Sequence, residues 1–189
     1  RSAGQAIQKV KEYAEEGYRY AVSVDLSKYF DTLNHELLMN LLHKQIQDMR
    51  VLSLIKKYLK SGVMENGVVC KTEEGSPQGG PLSPLLANIY LNEFDWEMNN
   101  RGVKLVRYAD DIVVFAKSKR AAERQLESCW KYLEGRLRLK MNTEKSKVTS
   151  VFAQKDFKFL GFCLGKNGNG VYIRAHRKSL NKAKEKLKL

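Results

Sequence analysis

The stretch Leu105-Val106-Arg107-Tyr108-Ala109-Asp110-Asp111-Ile112-Val113-Val114-Phe115 constrains this chain more than any other. Two apolar runs rich in β-branched and aromatic residues flank a pair of adjacent aspartates. Such runs read as strands, and the acidic break between them as a tight hairpin turn. Neighbouring carboxylates repel each other, so a turn tip that carries both needs a neutralising cation to be a sensible arrangement. A solvated polar turn is the competing reading of these residues alone, and the rest of the chain decides between them.

Taken in order, Ala6, Val10, Tyr13 and Ala14 recur at helical spacing and predict a helix over Ser2 to Glu16, stopped by Gly17. Arg19 to Val24 alternates as a strand and runs into Asp25. Asn34 is a candidate N-cap for a helix carrying Leu37, Leu38, Leu41 and Leu42, and Asp48 for another that ends near Gly62. Asn66-Gly67 marks the tip of a short hairpin.

The loop Glu74 to Pro84 holds every proline of the chain (Pro77, Pro81 and Pro84) beside Gly75, Gly79 and Gly80, which fixes an unusual backbone path. Ser83-Pro84 opens a long helix through Leu86, Tyr90, Phe94 and Met98, closed by Gly102. After the acidic hairpin, Ser118 caps a helix with Ala122, Leu126, Cys129, Leu133 and Leu137 on one stripe. Leu139 to Asn142 and Lys147 to Phe152 read as strands around the polar turn Thr143 to Ser146. Phe157 to Phe162 is expected to pair with Val171 to Ile173, and Ser179 to Leu189 to begin a basic helix. The fold class is α+β, with helices packed on an antiparallel sheet.

Composition narrows the partners. The chain has 189 residues with 34 Lys+Arg against 21 Asp+Glu, a formal net charge of +13, which points to a polyanion and favours nucleic acid over an anionic membrane. No apolar run approaches the ~18 residues that span a bilayer. Cys70, Cys129 and Cys163 lie far apart, and His35, His43 and His176 complete no zinc pattern, so the cysteines read as reduced core or semi-buried residues of an intracellular protein. The start at Arg1, without Met, and the basic end suggest part of a longer chain.

Asp25 ends one expected strand and Asp110-Asp111 turns another. If these strands are neighbours, the carboxylates converge at one sheet edge. That arrangement suits two hard divalent cations about 3.5–4 Å apart, as used for in-line phosphoryl transfer, and magnesium is the natural choice. A helix cap is the competing role for Asp25.

Asp25 to Asp31, Ser76 to Leu91 and Tyr108 to Asp111, in that order and spacing, resemble reverse transcriptases. The block Ser76-Pro77-Gln78-Gly79-Gly80-Pro81-Leu82-Ser83-Pro84-Leu85-Leu86-Ala87-Asn88-Ile89-Tyr90-Leu91 looks like the bacterial group II intron-encoded class, the intron maturases. The resemblance implies a right-hand polymerase palm with part of the fingers over residues 1–177, and the start of a thumb helix over 178–189. It implies Asp25, Asp110 and Asp111 as catalytic ligands of two Mg²⁺ ions. Phe30 matches the residue beneath the incoming sugar, although a core aromatic beside Tyr29 reads equally well. Gln78 and Gly79 match the loop that touches the nascent base pair. Lys145, with Lys147 as a rival, matches the lysine near the triphosphate. Phe159-Leu160-Gly161 resembles the primer grip.

The implied partners are an intron RNA template, a DNA primer and dNTP, and the implied location is a cytoplasmic ribonucleoprotein with intron RNA. The alternatives are a splicing maturase whose polymerase site is vestigial, and a reverse transcriptase of another prokaryotic lineage. Asp31, His35 and His43 read as cap or helix-surface residues, and Trp96 and Trp130 as core.

Overall fold

The computed structural model describes residues 2–61, 63–65, 68–70, 74–76 and 80–187. The chain divides into two compact units. The first comprises Arg1–Asp25, Met98–Cys129 and Asn142–Leu189, and the second Leu26–Glu97 and Trp130–Met141.

In the first unit, helix α1 (Ala3–Glu15) starts at a capping box, where the Ser2 side chain accepts from the Gln5 N–H and the Gln5 side chain accepts from the Ser2 N–H. Both orphan donors are satisfied reciprocally, which fixes where the helix begins. Strands β1 (Tyr20–Val24), β4 (Lys104–Tyr108), β5 (Asp111–Ala116) and β6 (Lys147–Ser150) form one antiparallel sheet in the order β4-β5-β1-β6. Ile7, Val10 and Ala14 of α1 join Ala21, Val113 and Phe115 in a core with Val151, Phe157, Phe159, Leu164 and Val171. Val22, Val24, Ile112 and Val114, which alternate with these, are buried as well. Burial on both faces explains why β5 reads as an unbroken apolar run and not as an alternating one. Each large side chain buried this way contributes about 1.5–3 kcal/mol.

Strands β7 (Phe162–Asn167) and β8 (Gly170–Ala175) form a separate two-stranded ribbon, and α6 (Arg177–Leu187) follows. The ribbon is displaced from the expected one. The segment before it is not strand: Phe159 and Phe162 exchange both backbone bonds at 2.9 Å around Leu160 (φ 49°) and Gly161 (φ 86°). Positive φ at both central residues is the requirement of a type I′ turn, and Gly161 meets it at little cost.

The second unit contains α2 (His35–His43), capped by Asn34, and α3 (Met49–Lys60), capped by Asp48, both as the sequence implies. Strands β2 (Val63–Glu65) and β3 (Val68–Cys70) pair through Glu65↔Val68. Asn66-Gly67 lies outside the described residues. Helix α4 (Ser83–Asn100) buries Leu86, Ala87, Tyr90, Leu91 and Phe94 and ends within the first unit. Helix α5 (Lys119–Gly135) begins in the first unit and ends in the second. The segment Leu139 to Asn142, expected as a strand, forms no strand ladder and instead carries the isolated bridge Leu26↔Met141. Cys129 and Cys163 are free and buried, and burial pushes the Cys129 thiol up to about 12. No helix among the described residues is long and apolar enough to cross a membrane.

Candidate active site

The acidic hairpin closes on the pair Tyr108↔Asp111, leaving Ala109 and Asp110 as a two-residue turn. Ala109 takes φ 56°, a left-handed conformation that costs an L-residue roughly 1–2 kcal/mol. The Arg107 guanidinium donates to the Ala109 carbonyl at 2.9 Å and so secures the strained residue from its own strand. Strain held in place by neighbours is a mark of functional turns.

Strand β1 pairs with β5 from Tyr20↔Ala116 to Val24↔Ile112. The next residues past that last pair are Asp25 on one strand and Asp111 on the other. Asp25, Asp110 and Asp111 are thus at one end of one sheet, all within the first unit. Burial raises the Asp111 pKa above its ordinary value, and the charges of Asp110 and Asp25 raise it further, while the Lys158 ammonium works the other way. The carboxylates therefore feel one another, which is the condition a shared divalent cation would relieve. All are hard oxygen donors, as magnesium or manganese requires. Among the described residues they do not close into a preformed cluster of three ligands. An open set of carboxylates matches an ion that completes its shell with waters and substrate phosphates.

The Lys145 ammonium is 3.7 Å from Asp25 Oδ2. Its rival Lys147 stands on β6 opposite Ser23 and is exposed. Of the two lysines, Lys145 reaches the carboxylates. Two hydroxyl contacts were invisible in the sequence: Ser146 Oγ accepts from the Asp25 N–H at 3.0 Å and donates to the Asp25 carbonyl at 3.3 Å. Partners 121 residues apart leave no local signal.

Phe159 buries its side chain in the core of the first unit and Leu160 packs against it. The residues assigned to a primer grip therefore offer a turn backbone, with the exposed Phe162 beside it, and not a row of exposed side chains.

Phe30 belongs to the second unit. Its half-buried ring lies 5.5 Å from the Tyr29 ring, and its carbonyl accepts the Ser76 N–H at 2.7 Å. The foot of the proline-glycine loop is stitched here. Gly75 N–H donates to the Leu33 carbonyl, His35 Nε2 bonds the Gly75 carbonyl at 2.6 Å, and Ser76 Oγ donates to Ser83 Oγ at 2.6 Å. Gln78 and Gly79, the loop residues singled out above, lie outside the described residues. His35 is buried, against the expectation of a helix-surface residue, and Trp96 and Trp130 are exposed, against the expectation of core.

The reverse transcriptase (RNA-dependent DNA polymerase) family profile matches residues 2–164. Protein YkfC of Escherichia coli (strain K12) is 37% identical over 199 residues, covering 85% of this chain and 52% of that protein. The group II intron-encoded protein LtrA of Lactococcus lactis subsp. cremoris is 36% identical over 156 residues, covering 82% of this chain and 25% of its own. The chain thus spans about half the length of the first relative and a quarter of the second. Among solved structures, telomerase from Candida albicans in complex with a TWJ fragment of telomeric RNA superposes with a TM-score of 0.66 at 15% identity. That likeness covers 96% of this chain and 36% of the other, and it concerns the fold.

Proposed function

Because the chain belongs to the reverse transcriptase family, we propose that it is the palm and part of the fingers of a group II intron-encoded RNA-directed DNA polymerase. The observation that carries this reading is the convergence of Asp25, Asp110 and Asp111 at one sheet end, with Asp111 held above its ordinary pKa by burial and by the other two. Binding RNA through a basic surface needs no such acidic group, so a vestigial polymerase site accounts for it poorly.

Asp25, Asp110 and Asp111 would hold two magnesium ions, whose chemistry is to neutralise the triphosphate and to lower the pKa of the attacking 3′ hydroxyl. In the transfer, the primer 3′ hydroxyl gives its proton to solvent, its oxygen bonds to the α-phosphorus, the bond from that phosphorus to the bridging β-phosphate oxygen breaks, and pyrophosphate leaves. Lys145 Nζ, 3.7 Å from Asp25 Oδ2, is the proton donor of this reading, and its proton goes to the departing pyrophosphate. Phe30 is assigned to sugar selection by its match to the family residue, and Gln78 and Gly79 to the nascent base pair on the same ground. The turn Phe159 to Phe162 supports the primer end. Residues 178–189 begin the thumb, and residues 1–177 form the palm and partial fingers. The partners are intron RNA as template and splicing substrate, a DNA primer and dNTP, in a ribonucleoprotein.

The test is Asp110→Asn in the full-length protein. Magnesium-dependent primer extension on an RNA template is lost while intron RNA binding survives. Normal extension by the variant overturns the assignment.

A further inference from the structure

The pairing of β1 with β6 runs from Tyr20↔Ser150 to Ser23↔Lys147 and stops. In the same register Asp25 would face Lys145. At this point a side chain replaces the ladder. The Ser146 hydroxyl accepts the Asp25 N–H at 3.0 Å and donates to the Asp25 carbonyl at 3.3 Å. The Asn142 N–H donates to that same carbonyl at 2.8 Å. Both backbone groups of Asp25 are therefore held by one short turn.

That turn is itself fixed. Asn142 Oδ1 accepts the N–H groups of Glu144 and Lys145 at 3.1 and 3.2 Å, and the Ser146 N–H donates to the Asn142 carbonyl at 2.9 Å. Ser146 is 9% exposed, among the few buried polar side chains of the described residues. A hydroxyl is the smallest group that both donates and accepts, and this position uses both capacities.

We propose that Ser146 is the positioning residue that aims the Asp25 carboxylate for divalent-cation binding. The inference rests on the polymerase reading above. Ending the strand pairing on a side chain leaves Asp25 anchored by its backbone one residue beyond the last β1–β5 pair and two beyond the last β1–β6 pair. The same turn carries Lys145, whose ammonium is 3.7 Å from Asp25 Oδ2. Ser146 thereby sets one metal ligand and its neighbouring cation together. Outer partners of metal ligands typically change metal affinity or activity by about 10–100-fold when removed.

The experiment compares wild-type full-length protein with Ser146→Ala, which removes the hydroxyl, and Ser146→Thr, which keeps it. Magnesium affinity is measured by titration calorimetry with MgCl₂, and the magnesium dependence of primer extension is measured beside it. In Ser146→Ala the half-saturating magnesium concentration rises about 10–100-fold in both assays, the KM for dNTP at saturating magnesium stays near wild type, and Ser146→Thr follows the wild type. If Ser146→Ala does not fold, Ser146→Cys makes the comparison, because a thiol has nearly the volume but hydrogen-bonds weakly. A magnesium titration unmoved in the hydroxyl-free variant, in a wild type that extends primers, overturns the positioning role alone. A wild-type protein that neither binds magnesium nor extends a primer overturns the polymerase reading, and this inference with it.

Discussion

At the scale of single residues, Asp111 makes the sharpest prediction. Its folded pKa is raised, first by burial and then by Asp110 and Asp25, so the native state holds the proton more tightly than the unfolded chain. Stability contributed by the protonated form is present at low pH and is lost as pH rises through the folded pKa. Without metal, the ionised Asp111 therefore destabilises the protein at pH 7. Asp111→Asn should melt slightly higher than wild type in EDTA at pH 7, by a few tenths of a kcal/mol, the scale for like charges near a surface. The gain should vanish as pH falls below the ordinary carboxyl value of 3.8. Magnesium should reverse the order, since an ion that binds only the native state stabilises by mass action and the variant binds it less well. Thermal melts across pH, with and without magnesium, check each step, and an unchanged order in EDTA contradicts the crowding of carboxylates. Phe30 makes an independent prediction: Phe30→Ala raises ribonucleotide incorporation relative to deoxyribonucleotide. Unchanged sugar selectivity returns Phe30 to a packing role beside Tyr29.

At the scale of elements, Gly75 is a seam. Its φ of +88° suits glycine, and a Cβ there would meet the Asp31 carbonyl oxygen at 2.8 Å. The flanking bonds, Gly75 N–H to Leu33 and Ser76 N–H to Phe30, fasten the foot of the proline-glycine loop to the segment carrying Phe30. Gly75→Ala combines backbone strain with a clash against main chain that cannot swing away, so it should destabilise by about 1–3 kcal/mol. Denaturant unfolding measures it, and wild-type stability would show that the seam can open without cost. The elements also show where reading the sequence succeeds and where it stops. The acidic hairpin, β1 and the capped helices were readable because their signals are local: β-branched runs, Asn34 and Asp48 before apolar stripes, Gly102 after one. His35 was misread although it shares a face with Leu38 and Leu42, at spacings of three and seven residues. Trp96 lies off the stripe of Tyr90, Phe94 and Met98, and is 62% exposed. Phe157 to Phe162 looked like a strand because its apolar residues alternate; only Gly161 hinted at a turn. Ser146 could not be found from the sequence, since its worth depends on a partner brought close by the sheet.

At the scale of the whole molecule, the excess of positive charge is the dominant fact. With a net charge of +13, the protein as a whole attracts polyanions, and α6 concentrates part of that charge. That helix buries no residue and presents Lys178, Lys182, Lys184 and Lys186 along its length. Nothing in its packing calls for so many lysines, whereas phosphate contacts would. If four of them engage a single-stranded RNA, the logarithm of affinity should fall with the logarithm of salt at a slope near −0.7 per contact, and affinity should drop roughly 50-fold between 50 and 200 mM salt. In the full-length protein, replacing Lys182, Lys184 and Lys186 together with Gln should flatten the slope by about 2 units while leaving sequence preference untouched, because phosphate contacts position RNA without reading it. Filter binding or fluorescence anisotropy over a salt series measures both slopes. An affinity that ignores salt would remove the electrostatic basis for RNA binding. A wild-type slope retained by the triple variant would move the phosphate track from α6 to another face of the protein.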